Sequence, residues 1–200
     1  MSKGRQDAWK IVNEFTKNQN LVKHMLAVEA AMRAYAEKLG QDEELWATVG
    51  LLHDFDWEIH PTLEEHPVKG ADILRERGWD EGIVRTVLSH YPAGTGVQPE
   101  KLVDFALMAC DEITGLITAT ALVRPSKDIR DVQLKSVRKK WKDRSFAAGV
   151  DRGEVEEAAE AFIVAAGPAL ANWDLWRHVD FVLEAMKGIA AELELDGRLT

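Results

Sequence analysis

From residue 101 to residue 122 the chain is apolar nearly all round, with Leu102, Phe105, Ala109, Ile113, Leu116 and Ile117 on one side and Leu107, Met108, Gly115 and Leu122 on the other. A helix that is hydrophobic on every face must be covered on every face, so this segment is expected to run through the centre of the protein. Asp111 lies within it. An uncompensated carboxylate there is costly enough to demand a partner or a proton, and a metal ion is one such partner.

The rest of the chain repeats the helical period, while β-branched runs bounded by turns are scarce. The spacing predicts helices over about 20–39 with Gly40 as the stop, over 42–53, over 67–77 before Gly78, and from an Asp80 cap through Ile83, Val84, Val87 and His90. Pro92-Ala93-Gly94-Thr95-Gly96 reads as a turn, and Pro99 as the first position of the long apolar helix. Further helices are expected over 129–142, 154–166 and 173–193. The fold class is therefore all-α, a compact multi-helix bundle, and with 46% hydrophobic residues in 200 it is expected to form one domain over 1–200.

Composition narrows the chemistry. The one cysteine, Cys110, excludes an internal disulfide and any CxxC metal knuckle, so a metal site has to use histidine and carboxylate. There is no GxSxG, and a thiol deep in an apolar helix is ordinarily inert. The formal net charge of −9 argues against nucleic acid as a partner. The basic cluster of Lys135, Arg138, Lys139, Lys140, Lys142 and Arg144 around Trp141 reads as a solvated helix face. No apolar run approaches the roughly 20 residues a bilayer requires, and the polar start lacks a leader's apolar stretch. The expectation is a cytoplasmic protein without a membrane segment.

His24 shares an apolar face with Val28 and Tyr35, His53 follows Trp46 and Val49, and His90 follows Ile83 and Val87. All three are expected to point inward. Together with Asp54 and Asp111 they form the kind of ligand set that bundles assemble from facing helices. Taken singly, each histidine reads as a hydrogen-bonded core residue.

The order His24, His53-Asp54, His66, His90, Asp111 resembles the H…HD…H…H…D signature of the HD-domain (HDIG-type) superfamily of metal-dependent phosphohydrolases. The flanking text agrees. Gly50-Leu51-Leu52-His53-Asp54 is similar to that family's apolar run into the doublet, and His66-Pro67-Val68-Lys69-Gly70-Ala71-Asp72-Ile73-Leu74 to its HPxxGAxxL segment. The resemblance covers about 20–125 as a metal-binding core, with 126–200 as additional helices that pack on it and either cover the pocket or form a homodimer surface. It implies one or two divalent ions (Mn, Fe, Co, Zn, Ni or Mg). His24, His53, Asp54 and Asp111 would hold the first, and Asp54, His66 and His90 the second. It further implies hydrolysis of a small phosphorylated substrate, a phosphomonoester or nucleotide, through a metal-bound hydroxide.

Asp54, Asp56, Glu58 and Lys69 are the candidate catalytic residues. Asp56 and Glu58 are candidates for general acid or base work, against the plainer alternative of surface acids beyond a helix end. Lys69 would meet a substrate phosphate. His60 is a candidate extra ligand or gate. After the doublet the chain reads Phe55-Asp56-Trp57-Glu58, where many members have Ile-Gly-Lys, and no GYP follows His90; both departures argue against cyclic-dinucleotide hydrolysis. Two alternatives stand beside the hydrolase: a di-iron oxygenase on the same scaffold, and a metal-stabilised binding or regulatory module without catalysis.

Overall fold

The computed structural model describes residues 3–198 and is all-helical. Among the described residues there is no strand, and an isolated antiparallel bridge joins Asp128 to Asp196. The chain divides into two compact units, Met1–Leu107 and Met108–Thr200, with the division inside one helix.

The first unit holds α1 (Arg5–Phe15), α2 (Gln19–Leu39), α3 (Glu43–Leu52), α4 (Val68–Glu76), α5 (Glu81–Ser89), the single turn α6 (Pro92–Thr95) and the start of α7 (Leu102–Leu122). Side-chain caps set several starts: Asn18 accepts from the Asn20 N–H, Asp42 from that of Leu45, and Asp80 from that of Gly82. Gly40 closes α2 in the left-handed conformation, at φ 62°.

Three sequence expectations change here. The polar start conceals α1, which buries Ala8, Ile11 and Val12 at helical spacing, and whose Arg5 clasps both oxygens of the buried Glu29 at 2.5 and 3.0 Å. The stretch 92–95, expected as a plain turn, forms α6. Pro99 does not open α7. Buried Asp104 reaches back from the first turn to accept the N–H groups of Glu100 and Lys101 at 3.0 Å each, so the helix begins at Leu102. The same carboxylate also accepts from Arg85 at 2.9 Å and the Thr86 hydroxyl at 2.7 Å, which ties α5 to the start of α7.

Helices α2 and α3 pack at very close range through Gly50. A Cβ there would lie 3.0 Å from the backbone N and Cα of Glu29 and 3.2 Å from Met32 Cγ. Their approach matters because α2 carries His24 and α3 ends on His53.

The second unit contains the rest of α7, a 3-10 turn at Ile129–Asp131, α8 (Leu134–Trp141), α9 (Arg152–Ala166), a 3-10 turn at Gly167–Leu170, and α10 (Leu175–Gly188). The helix expected over 129–142 is broken at Val132 and Gln133, both extended, and the Ile129 N–H donates to the Leu195 carbonyl at 2.8 Å. Buried Trp141 meets Trp176 edge-on at 5.5 Å, while Lys135, Arg138, Lys139, Lys142 and Arg144 are exposed. Buried Arg152 donates to the carbonyls of Phe146, Ala147 and Val150, which fixes the loop before its own helix.

Contrary to the sequence expectation, α7 is long and apolar enough by length and composition to cross a membrane; 56% of its apolar window is buried within the protein. Cys110 is fully buried, and burial, then the neighbouring Asp111 charge, push its thiol up, in keeping with an inert side chain.

His178, in α10, is also fully buried, and its Nε2–H donates to the Ala109 carbonyl of α7 at 2.9 Å. Burial pushes its pKa down to about 4, against the opposing effect of that hydrogen bond. A histidine held neutral in this way contributes its full stability above its unfolded value of about 6.5 and loses it as pH falls toward 4. The loss reaches on the order of 3 kcal/mol at low pH. His178→Gln keeps a donor for the carbonyl, so its melting temperature is expected to change less between pH 6.5 and 4 than that of wild type. Parallel acid limbs for the two proteins would refute this.

Candidate metal centre

His53 is the C-cap of α3 and His90 the C-cap of α5. A helix end leaves carbonyls without intrahelical partners, and both rings use them. The Nδ1–H of His53 donates to the Gly50 carbonyl at 2.8 Å, and that of His90 to the Val87 carbonyl. A carbonyl can only accept, so each Nδ1 carries the proton and each Nε2 lone pair is turned the other way. His66, in the loop before α4, is oriented through Nδ1 as well, here by the carboxylate of Asp56 at 2.8 Å.

The Nε2 atoms meet in pairs around one carboxylate. His24 and His53 approach to 3.2 Å, and His66 and His90 to 3.1 Å. Asp54 Oδ2 lies 3.5 Å from both members of the first pair. Its Oδ1 lies 3.3 Å from His66 and 3.7 Å from His90. Two imidazole lone pairs facing each other at such distances repel unless a proton or a cation lies between them. The C-terminal ends of α3 and α5, negative by the alignment of their peptide dipoles, add to that demand. Asp54, His66 and His90 each offer a ligand atom within 4.8 Å of the others. The donor set fits a divalent cation of borderline or hard character.

Electrostatics follow the same lines. Burial pushes Asp54 up, but the charge of His53 and the hydrogen bonds from His24 and His66 outweigh it and hold the carboxyl well below its usual range. Burial would lower His66, yet Asp54 and Asp56 raise it to about 9. A histidine raised in this way stabilises the metal-free fold fully below about 6.5, and the effect is lost as pH climbs through 9. Metal must displace that proton, so binding strengthens over the same interval. In chelator the melting temperature is therefore expected to fall between pH 6.5 and 9, on the order of 3 kcal/mol in total, while the increment from added metal grows. A chelated protein with a flat profile in this window would contradict the assignment.

The structure brings His24, His53, Asp54, His66 and His90 together. Asp111 is half-buried on α7 in the second unit, where its carbonyl accepts from Thr114 at 2.7 Å. The other candidates have separate positions. Asp56 is fully buried against His66 and Gly70, so its oxygens are already engaged, contrary to a role in acid or base work on substrate. Glu58 is exposed and accepts the Lys17 and Asn18 N–H groups at 2.7 and 2.8 Å, holding the entry to α2. Its geometry is that of a surface acid with a capping task. Lys69 is exposed in the first turn of α4, and the backbone N–H of half-buried His60 bonds to the Asp56 carbonyl at 2.8 Å. The clamp on His66 by Asp56 was not foreseen in the sequence; an acid ten residues before an expected ligand was the available signal.

The HD domain family model matches residues 21–114, the stretch that supplies every one of these imidazoles. The chain carries an HD domain. Relatives of this HD domain include Ribonuclease Y of Thermosipho melanesiensis, 33% identical over 86 residues, which are 42% of this chain and 17% of that protein. Ribonuclease Y of Clostridium botulinum is 23% identical over 184 residues, 90% of this chain and 34% of the relative. A tRNA (cytidine(56)-2'-O)-methyltransferase of Thermoplasma volcanium is 32% identical over 97 residues, 48% of this chain and 28% of the relative. The chain thus spans about a third or less of these relatives' own lengths. No solved structure gives a significant match.

Proposed function

We propose that the HD domain hydrolyses a phosphate ester, a phosphomonoester or nucleotide, with two divalent cations. The observation that supports this reading most directly is the single carboxylate of Asp54, whose Oδ2 faces His24 and His53 and whose Oδ1 faces His66 and His90. His24, His53 and Asp54 would hold the first ion; Asp54, His66 and His90 would hold the second. When bound, such ions supply Lewis acidity, acidifying water and offsetting negative charge on a phosphoryl group. The chain's own residues do the positioning. His53 and His90 are fixed by their Nδ1 hydrogen bonds, so little reorganisation is needed when ligands are engaged. Lys69, exposed in the first turn of α4, is the candidate to meet a substrate phosphate as a point charge.

The ribonuclease names among the relatives add RNA phosphodiesters to the substrates worth testing. The test is a panel of nucleoside mono-, di- and triphosphates, cyclic nucleotides, short RNA and simple phosphomonoesters, assayed with Mn²⁺, Co²⁺ and Mg²⁺. Metal-dependent release of product by wild type, absent from Asp54→Ala, is expected. Oxygen uptake on a diol without phosphate release would favour the di-iron oxygenase instead. Full metal content with no turnover across the panel would favour a metal-stabilised binding module.

A further inference from the structure

The three oriented imidazoles are not held alike. His53 and His90 give their Nδ1 protons to neutral carbonyls at the ends of their own helices, whereas His66 gives its proton to a carboxylate. That carboxylate, Asp56, has no exposed surface, and its second oxygen accepts the Gly70 N–H at 2.9 Å. Its seat depends on Gly70: a Cβ at that position would lie 2.4 Å from Asp56 Cγ. Trp57 stands perpendicular to the His66 ring at 4.9 Å between centroids. The arrangement fixes the His66 tautomer, fixes its ring plane, and places a negative charge behind the nitrogen that donates.

We infer that Asp56 is a positioning residue that strengthens cation binding on the His66–His90 side of the centre, and that Gly70 is required because it leaves room for that carboxylate. This deepens the proposed function and rests on the reading that the cluster holds two cations. A carboxylate behind a ligating imidazole raises its basicity and pins its orientation, and loss of such a partner ordinarily weakens metal binding by about 10- to 100-fold. Asp56 does this without touching substrate or metal, so it acts through His66 alone.

The experiment is a Mn²⁺ titration of the full chain by calorimetry, for wild type, Asp56→Ala, Asp56→Asn and Gly70→Ala, with helicity checked by circular dichroism. Wild type is expected to take up two ions. Asp56→Ala is expected to weaken one of them by about 10- to 100-fold and leave the other within about 3-fold. Asp56→Asn keeps an acceptor for His66 but turns an amide N–H toward the Gly70 N–H, so it is expected to fall between wild type and Asp56→Ala. Gly70→Ala retains the carboxylate but displaces it, and is expected to lower the affinity of the same single ion. A merely structural role would weaken both ions together. That result, or two unchanged ions in the folded variants, overturns the proposal while leaving the metal centre intact. Should Asp56→Ala fail to fold, Asp56→Asn decides by the same criterion. Wild type binding fewer than two ions would overturn the two-cation reading, and this inference with it.

Discussion

Asp54→Ala is expected to empty both of the proposed cation sites at once, reducing metal per chain from the proposed two to near zero by elemental analysis after purification without chelator. The reason is the division of its two oxygens between two imidazole pairs, each within 3.3 to 3.7 Å. Loss of a shared ligand should exceed the roughly 100-fold that loss of an outer partner costs. His90→Ala makes the contrast: it removes a ligand from one pair and is expected to leave one ion in place. Retention of both ions by Asp54→Ala would mean the metals lie elsewhere. Any turnover should vanish in parallel with the metal, because no other carboxylate touches both pairs in the described cluster.

The second large effect is on the scaffold. Gly50→Val is expected to destabilise the protein by about 2–3 kcal/mol, at the upper end of the usual cost of overpacking, since the atoms in the way are backbone of α2. For a chain of this size that corresponds to a melting temperature lower by roughly 5–10 °C. Metal binding should weaken too, because separation of α2 from α3 also separates His24 from His53, which now stand 3.2 Å apart. Gly115→Ala is the control. A Cβ there would make an ordinary 3.7 Å contact with Val150, so the substitution is expected to stabilise by about 0.5–1 kcal/mol through better helix propensity. Thermal melts of the two variants that move in the same direction would refute the packing argument.

The imidazoles and Asp54 could be read from the sequence because their chemistry is distinctive and their order is informative. The helices carrying them could be read because Asp42, Asp80 and Gly40 are residue types with strong positional preferences. What could not be read was range. Asp56 and Glu58 stood as equal candidates two residues apart, yet one is sealed against His66 and the other reaches to Lys17 and Asn18, some 40 positions away in the chain. Local periodicity has no information about such distant partners. Asp104 shows the same limit: Pro99 is a sound local signal for a helix start, overridden by a side chain further on that captures the backbone first. In α1 the buried stripe of Ala8, Ile11 and Val12 is too small to stand out among polar neighbours.

The use made of His53 and His90 bears on what happens when the centre is stripped. Within each ring one nitrogen serves the architecture, closing the last turn of a helix, and the opposite one is left for ligation. Removing the ion does not undo the first task. Unlike a zinc finger, whose chain has no fold to return to, this domain should survive demetallation as an ordered receptacle and reload without having to refold.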